Sequence, residues 1–222
     1  MGTGKEAPRH SNLGRCVIIA AGEIQEGFNL AAAVSDAAFV ICADGGYDTA
    51  VAAGITPDLF VGDKDSVITL PKHCEQVLSP AEKDDTDTML AVKLALARGH
   101  THITIIGGLG GRLDHTIANL QTLLYCAQHG ARAELAGAID SAMVIQNESV
   151  TISAREGYVS VFALTERCEG VTLKGLRYPL CDVVLTNSFP IGVSNEFCAP
   201  AAEITVRQGC LLLVFSGKRG KP

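Results

Sequence analysis

The chain has 222 residues, of which 47% are apolar and 19% charged, and its formal net charge is −6. That balance describes a globular protein and excludes a disordered one, and the acidic surplus argues against a nucleic-acid partner, whose phosphates call for a basic face. No apolar run reaches the ~18 residues that span a bilayer, so no membrane partner is expected.

Residues 1–14 are polar and lack the apolar stretch of a secretory signal, so they are expected to form a disordered tail. The first strand is Cys16–Ala21, closed by Gly22, and a loop with Glu23 and Glu26 leads to an alanine-rich helix around Leu30–Ser35. A strand at Phe39–Ala43 delivers Asp44, and Gly45-Gly46 permits a sharp turn. A short helix over Tyr47–Ala53 stops at Gly54, and a strand at Leu59–Gly62 delivers Asp63. Gln76–Leu78 is a short strand, Thr88–Arg98 a helix closed by Gly99, and Ile103–Ile106 a strand. The glycine loop Gly107–Arg112 then opens a helix from Asp114 to Gln128. Strands alternating with helices predict a three-layer α/β domain with a mostly parallel sheet over residues 15–132.

After Gly130 the pattern changes to short alternating segments with glycines at 157, 170, 175, 192 and 209 between them, and no helical period. Closely spaced strands of this kind predict a C-terminal β-sandwich over residues 133–222. The eight cysteines form no C-x-x-C pair and match no zinc spacing, which fits free thiols in a reduced, cytoplasmic protein better than a disulfide framework.

Nine of the twelve aspartates lie between Asp44 and Asp114, several of them just beyond a strand. An open parallel sheet binds ligands outside the carboxyl ends of its strands, so these acids should collect along one crest. Crowded carboxylates repel unless a cation sits between them, and Mg²⁺ is the hard cation that carboxylates suit. Asp63 and Asp65 are the strongest metal candidates, because in an extended segment both side chains project to the same side. Asp84-Asp85-Thr86-Asp87 precedes a helix, where one cap needs one residue. Asp84 or Asp85 is therefore read as structural and Asp87 as turned toward the ion, with Lys83 offsetting charge or touching phosphate. The glycine loop is not a dinucleotide fingerprint, since Leu113 stands where the third glycine should fall. Its amides still favour an anion, and Arg112 can fork onto a phosphate. Asp114 reads equally as a helix cap, His115 as a general base or a surface histidine, and Gly192–Phe197 as a β-turn.

In order along the chain, Ala43-Asp44-Gly45-Gly46, Pro57-Asp58 with Gly62-Asp63-x-Asp65-Ser66, and Lys83-Asp84-x-Thr86-Asp87 are followed by Gly108, Gly111–His115 with Asn119, Gly175–Leu180 and Ser194–Phe197. This combination resembles the bacterial thiamine pyrophosphokinase (thiamine diphosphokinase) family. The resemblance implies transfer of the pyrophosphoryl group of ATP to thiamine, leaving AMP, with Mg²⁺ as cofactor. It also implies a homodimer with active sites between subunits, the sandwich binding thiamine and forming the dimer. Asp63, Asp65 and Asp87 would hold the metal, with Asp44 and Gly45 nearby. Lys83, Gly108, Arg112, Asp114 and His115 would serve the nucleotide and thiamine site, and Ser194 and Asn195 would hold thiamine, contributed by the other subunit. Asp65, Asp87 and Asp114 remain alternatives for the group that accepts the thiamine hydroxyl proton. The chain departs from the family in carrying Lys64 between the paired acids, where the family has Phe, and in having no tryptophan. Two other readings are a nucleotide or thiamine sensor without turnover and a Mg²⁺-dependent nucleotide hydrolase.

Overall fold

The computed structural model describes residues 13–63, 67–68, 71, 73–78 and 85–218. The first half contains β1 (Cys16–Ile19), α1 (Leu30–Val34), β2 (Phe39–Ala43), α2 (Gly46–Ala52), β3 (Leu59–Gly62), β4 (Glu75–Leu78), α3 (Asp87–Ala97), β5 (His102–Ile106) and α4 (Leu113–Gln128). The rest is β6 (Arg132–Ala136), β7 (Asp140–Gln146), β8 (Ser149–Ser153), β9 (Tyr158–Ala163), β10 (Arg167–Lys174), β11 (Leu180–Thr186), β12 (Gly192–Asn195), β13 (Ala201–Thr205) and β14 (Cys210–Ser216).

All four residues of β1 are buried, because helices cover both faces of this part of the sheet. Val17 and Ile19 face the layer containing Leu30 and Ala50 of α1 and α2. Cys16 and Ile18 face Ala91, Val92 and Ala95 of α3 and Leu123 of α4. Each such Val or Ile side chain contributes about 1.5–3 kcal/mol by leaving water. This doubly covered environment explains why the strands are continuous apolar runs rather than alternating ones.

The strands form a ten-stranded sheet in the order β12-β9-β14-β7-β6-β5-β1-β2-β3-β4 and a four-stranded sheet in the order β11-β10-β13-β8. From β6 to β4 every neighbouring pair is parallel. From β6 outward to β12 every pair is antiparallel. The expected boundary at residues 132 and 133 therefore falls inside β6, which pairs with β5 on one edge and β7 on the other. Beyond β6, one face of the large sheet packs on the small sheet through Ile145, Val159, Val161, Leu211 and Leu213 against Val171, Leu173, Ala202 and Ile204. This is the sandwich, and the fold is the α/β-plus-sandwich class expected from the sequence.

The stretch that reads as a turn, Gly192–Phe197, begins instead as the edge strand β12, paired with β9 through Gly192–Val161 and Asn195–Val159. A register shift lies between those pairs, where Ser194 takes a φ of +57°. The bulge accounts for the turn-like composition.

Candidate active site

β1 and β5 are adjacent, yet β1 leads through α1 to β2 on one side while β5 leads through α4 to β6 on the other. Diverging connections open a crevice at the carboxyl ends of such strands. A cavity of about 450 Å³ lies there, lined by the ends of β1 and β2, the start of α3, and the loop from β5 into α4. The backbones at its base nearly touch. A Cβ on Gly22 would come within 2.1 Å of the Gly107 carbonyl oxygen, and a Cβ on Gly46 equally close to that of Ile19.

Asp44, the residue after β2, lines the cavity with a φ of +49°, a conformation that non-glycine residues seldom adopt and that functional sites often hold. Its amide donates to the carbonyl of Val61 at 2.9 Å, so the ends of β2 and β3 lie side by side. Asp63 follows β3 on that neighbouring strand, half-buried and outside the lining of the cavity. Asp87, in the first turn of α3, lines the cavity with Thr86 and Thr88. Thr86 is the α3 cap, its Oγ1 accepting from the Met89 amide at 3.1 Å. Asp85 instead takes both short contacts from Lys93, at 2.7 and 2.6 Å.

Not every acid of the expected crest stands on it. Asp58 lies at the opposite end of β3, where its Oδ2 accepts from the Val40 amide at 2.7 Å. Asp48 accepts from the amide of Ile68 at 3.0 Å. Both side chains bind backbone amides instead.

Across the cavity stand Gly107, Gly108, Gly110, Gly111, Arg112 and His115. Arg112 occupies the α4 cap position without a side-chain cap, so amides of the first turn face outward with the positive end of a 16-residue helix. Its guanidinium makes a two-point contact with Asp114, at 3.1 and 2.6 Å, in an exposed pair. The Arg112 hydrogen bond holds the Asp114 carboxyl below its usual range, and Asp114 raises the Arg112 guanidinium in turn. Asp114 also accepts from the His115 amide at 3.0 Å. The site thus sets carboxylates on one side of a cavity against amides, a helix terminus and a guanidinium on the other, an arrangement suited to polyphosphate with a cation.

Of the other expected residues, Gly45 sits behind Asp44 as the α2 cap and does not line the cavity. Asp65, Lys83 and Asp84 lie outside the described residues. Among the described residues no three carboxylate, imidazole or thiol groups gather closely enough to hold an ion. Ser194 and Asn195 lie on β12, five strand spacings from β5 in the same sheet, or about 24 Å. Ser194 is exposed, whereas Asn195 is buried and its side chain joins both backbone polar groups of Tyr178, at 2.9 and 2.7 Å. The sequence reading did not single out Gly22, whose closeness to Gly107 joins segments far apart in the chain. It also gave Thr86 and Thr88 no site role, although the flanking acids marked their position.

A doubly covered α/β sheet with this rim belongs to the class of α/β proteins that bind phosphate-bearing ligands at the carboxyl ends of their strands. Residues 30–135 match the family model described as the thiamin pyrophosphokinase catalytic domain, and residues 144–211 match that described as its vitamin B1 binding domain. The chain belongs to the thiamine pyrophosphokinase family. It is 29% identical over 181 residues to the thiamine pyrophosphokinase of Bacillus subtilis, covering 78% of this chain and 85% of that one. The crystal structure of the Bacillus subtilis thiamine pyrophosphokinase superposes with a TM-score of 0.83 at 25% identity, over 92% of this chain and all of that one. That of a family protein from Enterococcus faecalis gives 0.79 at 28% identity, over 92% and 100%. The Candida albicans enzyme, at 14% identity and a TM-score of 0.77 over 93% and 91% of the two chains, shares the fold.

Proposed function

We propose that the chain transfers the pyrophosphoryl group of ATP to the hydroxyethyl oxygen of thiamine, giving thiamine diphosphate and AMP, with Mg²⁺ as cofactor. The observation that carries this reading is the cavity itself, where Asp44 and Asp87 face Gly107–Gly111 and Arg112 at the carboxyl ends of a parallel sheet. Its volume of about 450 Å³ is that of a small-molecule site. Loop amides and Arg112 bind the phosphate chain, and the acidic rim attracts cationic thiamine.

Asp63, Asp65 and Asp87 are the proposed metal ligands, with Asp44 beside them. Their oxygen donors match a hard divalent cation, which when bound supplies neutralisation of charge on the phosphate oxygens. Asp65, Asp87 or Asp114 accepts the proton of the thiamine hydroxyl as the new bond forms. Residues 15–132 handle nucleotide and metal, and residues 133–222 handle thiamine and dimer formation. The distance of β12 from the cavity supports a homodimer in which Ser194 reaches thiamine from the other subunit. Asn195 contributes by fixing the loop at Tyr178. All eight cysteines are free thiols, which fits a cytoplasmic enzyme. No helix among the described residues is long and apolar enough to cross a membrane.

Mixing the protein with ATP, Mg²⁺ and thiamine and separating products by chromatography should show AMP and thiamine diphosphate in equal amounts. AMP formed without thiamine would make the chain a hydrolase, and calorimetric binding with no AMP would make it a sensor.

A further inference from the structure

The glycine loop is held unevenly. Gly108 is seated on the core, since a Cβ there would come within 2.7 Å of Leu135 Cδ2 and 3.3 Å of Ile105 Cγ2. Gly110 and Gly111, at φ values of +84° and +65°, have nothing within 4 Å of the Cβ position. One side-chain hydrogen bond ties the seated part to the helix. Asn119, 7% exposed in the second turn of α4, donates from Nδ2 to the Gly108 carbonyl at 2.9 Å. A carbonyl can only accept, so the nitrogen end of the amide must face it. Thr116 Oγ1 adds a longer contact to the Gly110 carbonyl at 3.4 Å.

We infer that Asn119 is a positioning residue for the proposed pyrophosphoryl transfer. Its amide clamps the glycine loop to α4 at the point where core support ends, and so sets where the loop amides and Arg112 meet the phosphate chain. Without the donor, the Gly108 carbonyl loses its partner at the cavity wall and the unsupported half of the loop is free to swing. The inference rests on the proposed activity for its kinetic consequence, but the clamp exists in the free protein and is testable there.

Asn119→Asp keeps the shape and replaces the donor by a carboxylate that repels the Gly108 carbonyl. Its protonated form donates again, so the defect should reverse with pH. Burial and the facing carbonyl raise that carboxyl, placing the reversal above the ordinary aspartate range. The β5 and β6 side chains that meet Asn119 Nδ2 around the Gly108 Cβ position, Ile105 and Leu135, do not titrate. The other titratable or charged groups lining the cavity, Asp44, Asp87, Arg112 and His115, are common to parent and variant, so the ratio of the two is the readout. Amide hydrogen exchange of residues 107–112 without ligand should be faster than parent at about pH 8.5 and match it at about pH 5.5. The catalytic ratio kcat/KM for ATP should fall about ten- to hundredfold at the higher pH, as expected for one lost buried hydrogen bond, and recover at the lower. Asn119→Leu, which cannot donate at any pH, should show both defects without recovery. Exchange equal to parent in both variants, or an Asn119→Asp defect that does not reverse, overturns the clamp. Normal exchange behaviour of the clamp with no thiamine-dependent AMP from the parent would instead fault the proposed reaction.

Discussion

The two halves of the ten-stranded sheet use the same backbone spacing to opposite ends. From β6 to β4 the strands run parallel, so every carboxyl end opens on one rim, and Asp44, Asp63 and the Gly107–Arg112 loop arrive there from different strands. From β6 to β12 they run antiparallel, so each rim receives alternate strand ends. Burial instead follows position in the sheet: β1 and β3 are buried at every residue and β14 over Cys210–Leu213, whereas the edge strand β4 is largely exposed. Direction of pairing, rather than composition, decides which half opens its strand ends on a single rim.

The sharpest way to break this comparison is to change one acid in each half. Asp63→Asn or Asp87→Asn should lower the rate of AMP formation by about 10³-fold, with circular dichroism and Tm close to parent. Asp182→Asn, in an exposed pair with Arg207 on the sandwich, should leave the rate unchanged. A similar loss at Asp182, or near-normal turnover at Asp63 and Asp87, would dissolve the distinction.

A smaller effect probes how tightly the parallel rim is built. Gly46→Ala would place a methyl group 2.1 Å from the Ile19 carbonyl oxygen and 2.7 Å from its carbon, both backbone atoms that have no room to yield. It should cost about 2–4 kcal/mol and lower Tm by about 6–12 °C in a scanning experiment. Least of all is the effect at the exposed Arg112–Asp114 pair. Arg112 depresses the Asp114 carboxyl, so the pair contributes above the unfolded carboxylate pKa and loses that contribution as pH falls through the lower folded value. Arg112→Gln should shift the Asp114 titration upward when followed by carboxyl NMR, with Tm unchanged because both groups are in water.

Much of the parallel half was legible because double burial writes itself as unbroken apolar runs, each ending where an acid or glycine begins. Asp44, Asp87, Gly108, Arg112 and His115 do meet at one cavity. What stayed illegible depends on contacts between distant segments. The run Asp84–Asp87 did not show which of its residues caps the helix, and it is Thr86 that does, while Asp85 pairs with Lys93. Asp58 looked like part of the crest, yet it serves the Val40 amide at the other end of its strand. Nor does any local pattern show that β6 extends the parallel sheet and begins the antiparallel one, since periodicity describes a strand and not its neighbours.

That shared strand bears on how such a protein can be rearranged. A cut just before β6 would strip β5 of its partner and leave an open row of amides and carbonyls on the catalytic fragment, an invitation to aggregate. A cut just after it would leave β7 with the same raw edge. Gene fusions and module exchange should therefore favour the loops at the outer margins, and the two halves should be inherited together.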